Sequence, residues 1–216
     1  MKIAEKKVNI LRQNLILTNK RALYWVEQNS LIISDLHLGK TAHFRKNGLA
    51  LPTQLILNDL ARLSELIQHF RVKKLMIIGD FIHAGYNSEF DLFTKWKEDY
   101  SSLEIILIKG NHDRVSDIYF SELGIKSIHS ELEIYPFLFS HEFIETEKYF
   151  VISGHIHPGV NLVSKVKNNH KFPCFIKTNN QLILPAFSSF TGTNTKDHPL
   201  HATYFIFTDD DIFEIS

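Results

Sequence analysis

The sequence lacks three features that would each indicate a particular class of protein. One cysteine, Cys174, among 216 residues excludes an internal disulfide framework and a zinc site built on several thiolates. Neither charge is in excess, since 24 lysines and arginines balance 24 aspartates and glutamates, so binding of nucleic acid mainly by bulk positive charge is disfavoured. No apolar run reaches the roughly 18 residues that a membrane span needs, and charged residues interrupt the first 18 residues, unlike a signal peptide. We therefore expect a cytoplasmic protein.

Glycine and proline are also scarce, with nine and six residues, and no repeat or low-complexity linker is present. Hydrophobic residues make up 44% of the chain and charged residues 22%, which is ordinary globular composition. We expect a single domain over residues 1–216. Twelve histidines are the one unusual number, and histidine is the commonest metal ligand.

Short runs rich in isoleucine, leucine and phenylalanine predict buried strands. They cover residues 14–18, 21–26, 31–34, 75–78, 104–109, 137–140, 149–153, 174–177, 181–184, 202–207 and 212–215. Helical spacing predicts one helix after Pro52 that runs to Phe70, and a second that begins with Ser88 as its N-cap. Asn19-Lys20 and residues 209–211 predict hairpin turns. The pattern predicts an α/β protein with two sheets packed on each other and helices outside.

Polar side chains cluster where predicted strands end. Four segments combine a glycine with aspartate, asparagine or histidine: residues 34–40, 79–83, 110–113 and 154–158. A fifth, residues 140–142, follows the strand predicted at 137–140. Glycine allows a sharp turn and a close approach to a ligand, and α/β proteins place their sites at the carboxyl ends of strands.

The residue types in these segments predict a metal site. Asp35 and His37 are two residues apart, as are His155 and His157, so each pair is expected to point to one side of the backbone. Oxygen and imidazole donors without sulfur suit Mn, Fe or Zn better than Ca or Mg. Asp80 is the natural bridge between two metals, and two metals can clamp a phosphoryl group and activate water.

The order Asp-x-His, Gly-Asp, Gly-Asn-His-Asp, His, Gly-His-x-His, from Asp35 to His157, resembles the signature of the calcineurin-like metallophosphoesterases. The resemblance implies a four-layer α/β/β/α sandwich of two mixed sheets. It also implies one metal bound by Asp35, His37, Asp80 and His157, and a second bound by Asp80, Asn111, His141 and His155. His112 matches the family's histidine that protonates the leaving group or steadies the phosphoryl oxygens, so His112 and Asp80 are the predicted catalytic residues.

Four further stretches, residues 35–48, 79–83, 154–159 and 184–192, resemble the ligase-associated DNA damage response endonucleases. This resemblance covers nearly the whole chain. It implies a bacterial, manganese-dependent phosphodiesterase, with Fe or Zn as alternative metals, that cleaves DNA during repair and works beside a DNA ligase and a helicase.

Residues near the first metal motif are candidates for substrate binding. Lys40, His43, Arg45 and Lys46 follow Asp35 directly, where a loop could grip a phosphate or could simply be a solvated basic loop. His83 could line the site or could be a histidine that hydrogen-bonds a carboxylate behind it.

A long stretch of the second half, residues 149–196, has no acidic residue. It contains five lysines: Lys165, Lys167, Lys171, Lys177 and Lys196. Because it also holds His155 and His157, we expect a basic face beside the metals of a neutral protein.

Three functions remain open on these grounds. The first is a metal-dependent phosphodiesterase that cuts nucleic acid. The second is the same chemistry on a small substrate, such as a cyclic nucleotide, a nucleotide sugar or a phosphomonoester. The third is a non-catalytic scaffold, which would have lost ligands, whereas every expected ligand position is filled. Dinuclear chemistry alone does not distinguish the first from the second.

Overall fold

Secondary structure in the computed structural model is described for residues 2–83, 85, 87–163, 169–196 and 198–216. The first sheet contains β1 (Glu5–Ile10), β2 (Gln13–Thr18), β3 (Leu23–Trp25), β4 (Ser30–Ser34), β5 (Lys74–Ile78), β6 (Glu104–Ile108) and β7 (Ser127–His129). They lie in sequence order, antiparallel from β1 to β4 and parallel from β4 to β7. The sheet is therefore mixed, and its parallel strands end at one edge.

The second sheet is mixed as well. Its strands are β8 (Glu131–Ile134), β9 (Phe137–Ser140), β10 (Phe150–Ser153), β11 (Gly159–Val163), β12 (Asn169–Lys177), β13 (Gln181–Ile183), β14 (Thr203–Phe207) and β15 (Ile212–Ile215). Their order is β15-β14-β12-β13-β10-β9-β8, and β11 pairs with β12. Strands β9, β10 and β13 run parallel to one another.

Side-chain alternation along the strands separates two large cores. In β5, Leu75 and Ile77 pack toward helices, whereas Met76 and Ile78 pack toward the second sheet. The helices are α1 (Lys40–Lys46), α2 (Gln54–Phe70), α3 (Ser88–Asp99) and α4 (Asp117–Glu122). Residues of α2, α3 and α4 belong to the first core, and facing side chains of the two sheets form the second.

The outer face of the second sheet carries a third, smaller core. Its buried residues are Cys174, Ile176, Ile183 and Ile206. The partly buried residues that cover them come from strands and loops, and none comes from a helix of the described chain. The predicted α/β sandwich of two mixed sheets is confirmed. Burial raises the pKa of the Cys174 thiol to about 12.

The predicted strands, the helix after Pro52 and both hairpin turns are confirmed, with ends shifted by a few residues. The predicted cap of α3 is wrong: Asn87, and not Ser88, accepts the backbone N–H of Glu89 at 3.0 Å, since Asn87 is extended and Ser88 is already helical. The sequence did not predict β1, β7, β8, β11, α1 or α4, all of which are short or half-exposed. No helix among the described residues is long and apolar enough to cross a membrane.

Candidate metal centre

The predicted ligands meet at one edge of the two sheets because parallel strands deliver them there. Asp35, Asp80 and Asn111 follow β4, β5 and β6, which are parallel neighbours. His141 and His155 follow β9 and β10, which are parallel in the second sheet. The site therefore spans the ends of both sheets, as strand-end placement predicts.

One group of ligand atoms surrounds Asp35 Oδ1. His157 Nε2 lies 3.1 Å from this oxygen and His37 Nε2 lies 3.9 Å from it. The two imidazole nitrogens are 3.4 Å apart, and Asp80 Oδ2 lies 3.9 Å from His37 Nε2. These four side chains are the set predicted for the first metal.

A second group surrounds His141 Nε2. Asp80 Oδ1 lies 3.5 Å away, and Asn111 Oδ1 and His155 Nδ1 each lie 3.1 Å away. Asp80 thus turns one carboxylate oxygen toward each group. Together the two groups contain all seven predicted ligands.

Two observations test whether divalent cations fit these residues. Asp35 Oδ1 is buried and has no hydrogen-bond partner among the described residues, because the close nitrogen of His157 does not have hydrogen-bond geometry. A buried carboxylate oxygen without a partner is unfavourable, and a cation would satisfy it. Nitrogens that face each other at 3.1 and 3.4 Å likewise suit a shared ion, since two ligands roughly 2.0–2.2 Å from one ion lie about that far apart. The residues fit divalent metal ions.

The ionisation of two ligands also suits metal binding. Burial raises the pKa of Asp80, but hydrogen bonds from His141 and the His112 backbone N–H outweigh it and lower the pKa to about 2. Burial lowers the pKa of His37 to about 3, although Asp35 and Asp80 oppose this. Asp80 is therefore anionic and His37 neutral at neutral pH, as ligands must be.

Five ligand residues have left-handed backbone conformations. The φ angles are 55° at Asp35, 51° at His37, 48° at Asp80, 71° at His155 and 49° at His157. For a residue other than glycine, the left-handed conformation is less favourable than the right-handed one by about 1–2 kcal/mol. His155 joins the His141 group and His157 the Asp35 group, which is the division that the resemblance implies.

Two glycines of the motifs make room for ligands. A Cβ at Gly110 would overlap the backbone nitrogen and Oδ1 of Asp80. A Cβ at Gly154 would overlap Ser34 Oγ and lie 2.7 Å from Asp35 Oδ2. These glycines therefore allow one chain segment to approach another closely at Asp80 and Asp35.

Asp113 is a functional residue that was not singled out from the sequence. Its buried carboxylate accepts the backbone N–H groups of Gly110 and Ile82, each at 2.8 Å, and that of Phe81 at 3.3 Å. Burial raises the pKa of Asp113 to about 6, although these three hydrogen bonds act to lower it. Asp113 ties together the loops that carry Asp80 and Asn111, and the last position of Gly-Asn-His-Asp was the signal for it.

His112 and His83 face the metal ligands without belonging to either group. His112 Nε2 lies 4.0 Å from Asp80 Oδ2 with its side chain 42% exposed, and its ring stacks on that of His83 at 5.1 Å. The His83 ring also lies 5.3 Å from the His37 ring, so His83 lines the site. Its Nδ1 is buried and has no partner among the described residues, and burial, then Lys40, lowers its pKa to about 4.

The basic segment after Asp35 is the helix α1 and not a loop. Arg45 donates to the buried carboxylate of Glu89 at 3.1 Å, so it neutralises a buried charge instead of projecting toward solvent. Lys40 Nζ donates to Thr191 Oγ1 at 3.1 Å, and burial lowers the Lys40 pKa. His43 and Lys46 are exposed, and the His43 ring lies 6.0 Å from that of His83.

A cleft of about 740 Å³ opens beside His155. Its lining includes Phe143, Asn180, His198 and Leu200. No lysine or arginine is among the described residues that line it. The expected basic face therefore does not lie in this cleft.

The lysines expected to form that face are placed as follows. Lys165 and Lys167 lie outside the described residues. Lys171 and Lys196 are exposed, while Lys177 ends β12 at the edge opposite the metals, since β12 runs antiparallel to β13.

Comparisons with known proteins agree with this geometry. The model of the calcineurin-like phosphoesterase family matches residues 29–204. The nuclease MPE of Pseudomonas putida has a similar structure, with a TM-score of 0.81 and 27% sequence identity over 94% of this chain and 96% of that one. Yfce, a phosphoesterase from E. coli, aligns with a TM-score of 0.45 and 15% identity over 84% and 88% of the two chains. No functionally curated protein matches the sequence.

Proposed function

The chain belongs to the calcineurin-like phosphoesterase family and is a metal-dependent phosphoesterase, and on this premise we propose that it is a dinuclear phosphodiesterase that cleaves nucleic acid, with DNA as its substrate. The observation that carries the dinuclear assignment is the position of Asp80. Its two oxygens face two separate groups of ligand atoms, at 3.9 Å from His37 Nε2 and 3.5 Å from His141 Nε2.

Residues of the chain would divide the work at this site. Two bound divalent ions would neutralise the phosphoryl oxygens and supply an activated water near neutral pH. His112 donates a proton to the leaving oxygen, because its ring is half-exposed beside the ligands while its backbone N–H is fixed on Asp80 Oδ1 at 2.9 Å. His83 stacks on that ring and limits its rotation.

Manganese is the proposed working metal. The ligand set combines carboxylate and amide oxygens with imidazole nitrogens and has no thiolate, which suits Mn and also Fe or Zn. Lys40, His43, Lys46 and His83 lie on the α1 side of the ligands, where they would contact phosphate oxygens.

Nucleic acid is favoured over a small substrate by two findings. The similar Pseudomonas putida structure is that of a nuclease. The cleft of about 740 Å³ has His155 in its lining, which gives room beside this residue for a substrate that extends past the scissile phosphate.

A role in DNA repair beside a DNA ligase and a helicase is part of the proposal. It is supported by the resemblance of four sequence stretches to ligase-associated endonucleases. Co-purification of the three proteins from the native cell would test it, and their consistent separation would contradict it.

The function is tested with metal-free protein reconstituted with Mn, Mg, Zn or Fe. Each form is assayed on single- and double-stranded DNA, bis-p-nitrophenyl phosphate, p-nitrophenyl phosphate and cyclic nucleotides. We expect the Mn form to cleave DNA and the diester. A strong preference for a monoester or a cyclic nucleotide would favour the small-substrate function.

The dinuclear assignment is tested with Asp80→Asn. Since Asp80 serves both groups, the variant should lose most bound metal and nearly all diester hydrolysis while its circular dichroism is unchanged. The matched control is Asp210→Asn, at an exposed aspartate in the β14–β15 turn, which should keep both metals. Two bound metals and near-normal turnover in the Asp80 variant would contradict the assignment.

A further inference from the structure

A second group of cations lines a cavity of about 380 Å³ away from the metal ligands. Lys20 and Arg21 belong to the β2–β3 turn, and Arg62 belongs to α2. Phe172 and Phe207 of the second sheet complete the walls. The cavity therefore joins both sheets and one helix.

This cavity opens at the same edge of the sandwich as the metal centre. The β2–β3 turn lies beside the carboxyl end of β4, since Leu23 pairs with Ile32. In the second sheet, β12 runs antiparallel to β13, and β14 runs antiparallel to β12, so β14 ends at the edge where β10 and β13 end. Neighbouring strands are about 4.8 Å apart, which places the turn one to two strand spacings from Asp35.

The cations of this cavity are incompletely neutralised. Lys20 is 5% exposed, and its ammonium group makes no hydrogen bond or ion pair with any residue that the structure describes. Arg62 donates to Asp59 at 2.8 Å, yet its Nε is buried without a partner in the described chain. Asp59 also accepts the backbone N–H of Ser189 at 3.2 Å, and Asp209 is an exposed carboxylate at the rim.

The two arginines also have structural partners, whereas Lys20 has none. Arg21 donates to the carbonyls of Ala186 and Ser188, each at 3.1 Å. Burial, and then the charge of Arg62, lowers the Arg21 pKa to about 10. Lys20 is buried over most of its length and lines the cavity, and its ammonium group has no partner among the described residues, so its charge is available to an anion in the cavity.

We propose that Lys20, Arg21 and Arg62 form a phosphate-binding site separate from the metal centre. Arg suits forked contacts with phosphate oxygens and Lys adds a point charge. The identity of this phosphate rests on the proposed function: it is a phosphate of the nucleic-acid backbone. It lies beyond the scissile phosphate, at the same edge of the sandwich as the metal centre. A free phosphate or a mononucleotide presents the same chemistry, and the experiment distinguishes these sources.

The site itself is tested by binding of radiolabelled inorganic phosphate to the Mn-loaded full chain. We expect two classes of sites in the wild type. Lys20→Met should weaken one class at least tenfold, Lys20→Arg should restore it, and Asp80→Asn should remove only the other class. The control Lys171→Met removes an exposed lysine next to Phe172 and should leave both classes unchanged. Equal binding by the wild type and Lys20→Met would overturn the site.

The source of the phosphate is tested by kinetics on a single-stranded oligonucleotide and on bis-p-nitrophenyl phosphate. If the site holds the substrate backbone, Lys20→Met should raise the KM for the oligonucleotide relative to the KM for bis-p-nitrophenyl phosphate three- to tenfold. It should also reduce the slope of log affinity for the oligonucleotide against log salt concentration by roughly 0.7. An unchanged ratio together with lost phosphate binding would assign the site to a free phosphate and overturn the backbone assignment. If no oligonucleotide is cleaved at all, the proposed function fails, while phosphate binding still decides the site.

Discussion

Single residues decide which imidazoles bind metal and which remain available to substrate. His141 is buried and has its Nε2 within 3.5 Å of three ligand atoms, so it is committed to the metal group. His112 is held through its backbone N–H, and its ring, stacked on that of His83, is 42% exposed. A fixed position and an accessible ring suit a proton donor to a bound substrate.

His112→Asn should keep both metals and lose roughly 10²–10⁴-fold in rate, the usual contribution of general acid catalysis. The loss should be smaller for p-nitrophenolate, a leaving group that needs no proton, than for an alkyl leaving group. Metal analysis and kcat on both diesters would measure this. Equal losses would assign His112 to electrostatic stabilisation instead.

Two elements are fastened to the metal edge by buried carboxylates. Glu89 of α3 accepts the Gly39 N–H at 2.8 Å, the Thr41 hydroxyl, and Arg45 at 3.1 Å, so it anchors the beginning of α1. Asp113 performs the same task for the loops after β5 and β6. Both carboxylates are nearly inaccessible to solvent, so they depend on these partners.

Arg45→Ala should destabilise the protein by about 1.5–3 kcal/mol, because Glu89 would lose a charged hydrogen bond while remaining buried. Lys46→Ala, next to it and exposed, should change stability by less than about 0.5 kcal/mol and act on DNA binding alone. Urea unfolding of both variants, with KM for DNA, would separate the roles. Equal stability of the two variants would show that Arg45 is a surface cation.

Asp113→Ala should leave three backbone N–H groups without their acceptor and cost about 1–3 kcal/mol. Since the loops of Asp80 and Asn111 would separate, manganese affinity should fall by more than stability alone explains. Calorimetric titration with manganese would measure it, with the exposed Asp117→Ala as the control. Unchanged affinity would mean that the metals alone hold the two loops together.

Across the whole molecule, the metal centre borders the hydrophobic cores: Leu36 and Phe81, next to Asp35 and Asp80 in the chain, are core residues. The ligands lie at the ends of strands, whereas the cores lie between the sheets and under the helices. Trp25, Phe137 and Phe139 pack against one another in the inter-sheet core.

Chelation of the metals should therefore lower Tm without unfolding the chain. At 100 times Kd a ligand stabilises by about 2.7 kcal/mol, which corresponds to a loss of roughly 5–10 °C at this chain length. Hydrogen exchange should increase in the loops after β5, β6 and β10, while β4 to β6 remain protected. Global unfolding by chelator at 25 °C would contradict this expectation.

The sequence predicted which side chains meet at the sheet edge, because the segments that carry them follow strands with a clear apolar pattern. It did not predict Asp113 or Glu89 as anchors, since their partners are backbone groups and residues distant in sequence, which only tertiary contact reveals. The prediction for Arg45 was wrong for the same reason. The sequence around a basic residue does not show whether its side chain faces solvent or a buried carboxylate.

The left-handed backbone at five ligands has a consequence for metal supply. The donor atoms of each group already lie 3.1–3.9 Å apart, so an arriving ion meets donors that are close together. Selection among ions then depends on donor type, and the affinity order of divalent metals ranks Zn above Mn for such sites. The ion that purified enzyme carries should thus follow the growth medium, and its metal content on isolation should report cellular abundance instead of catalytic preference.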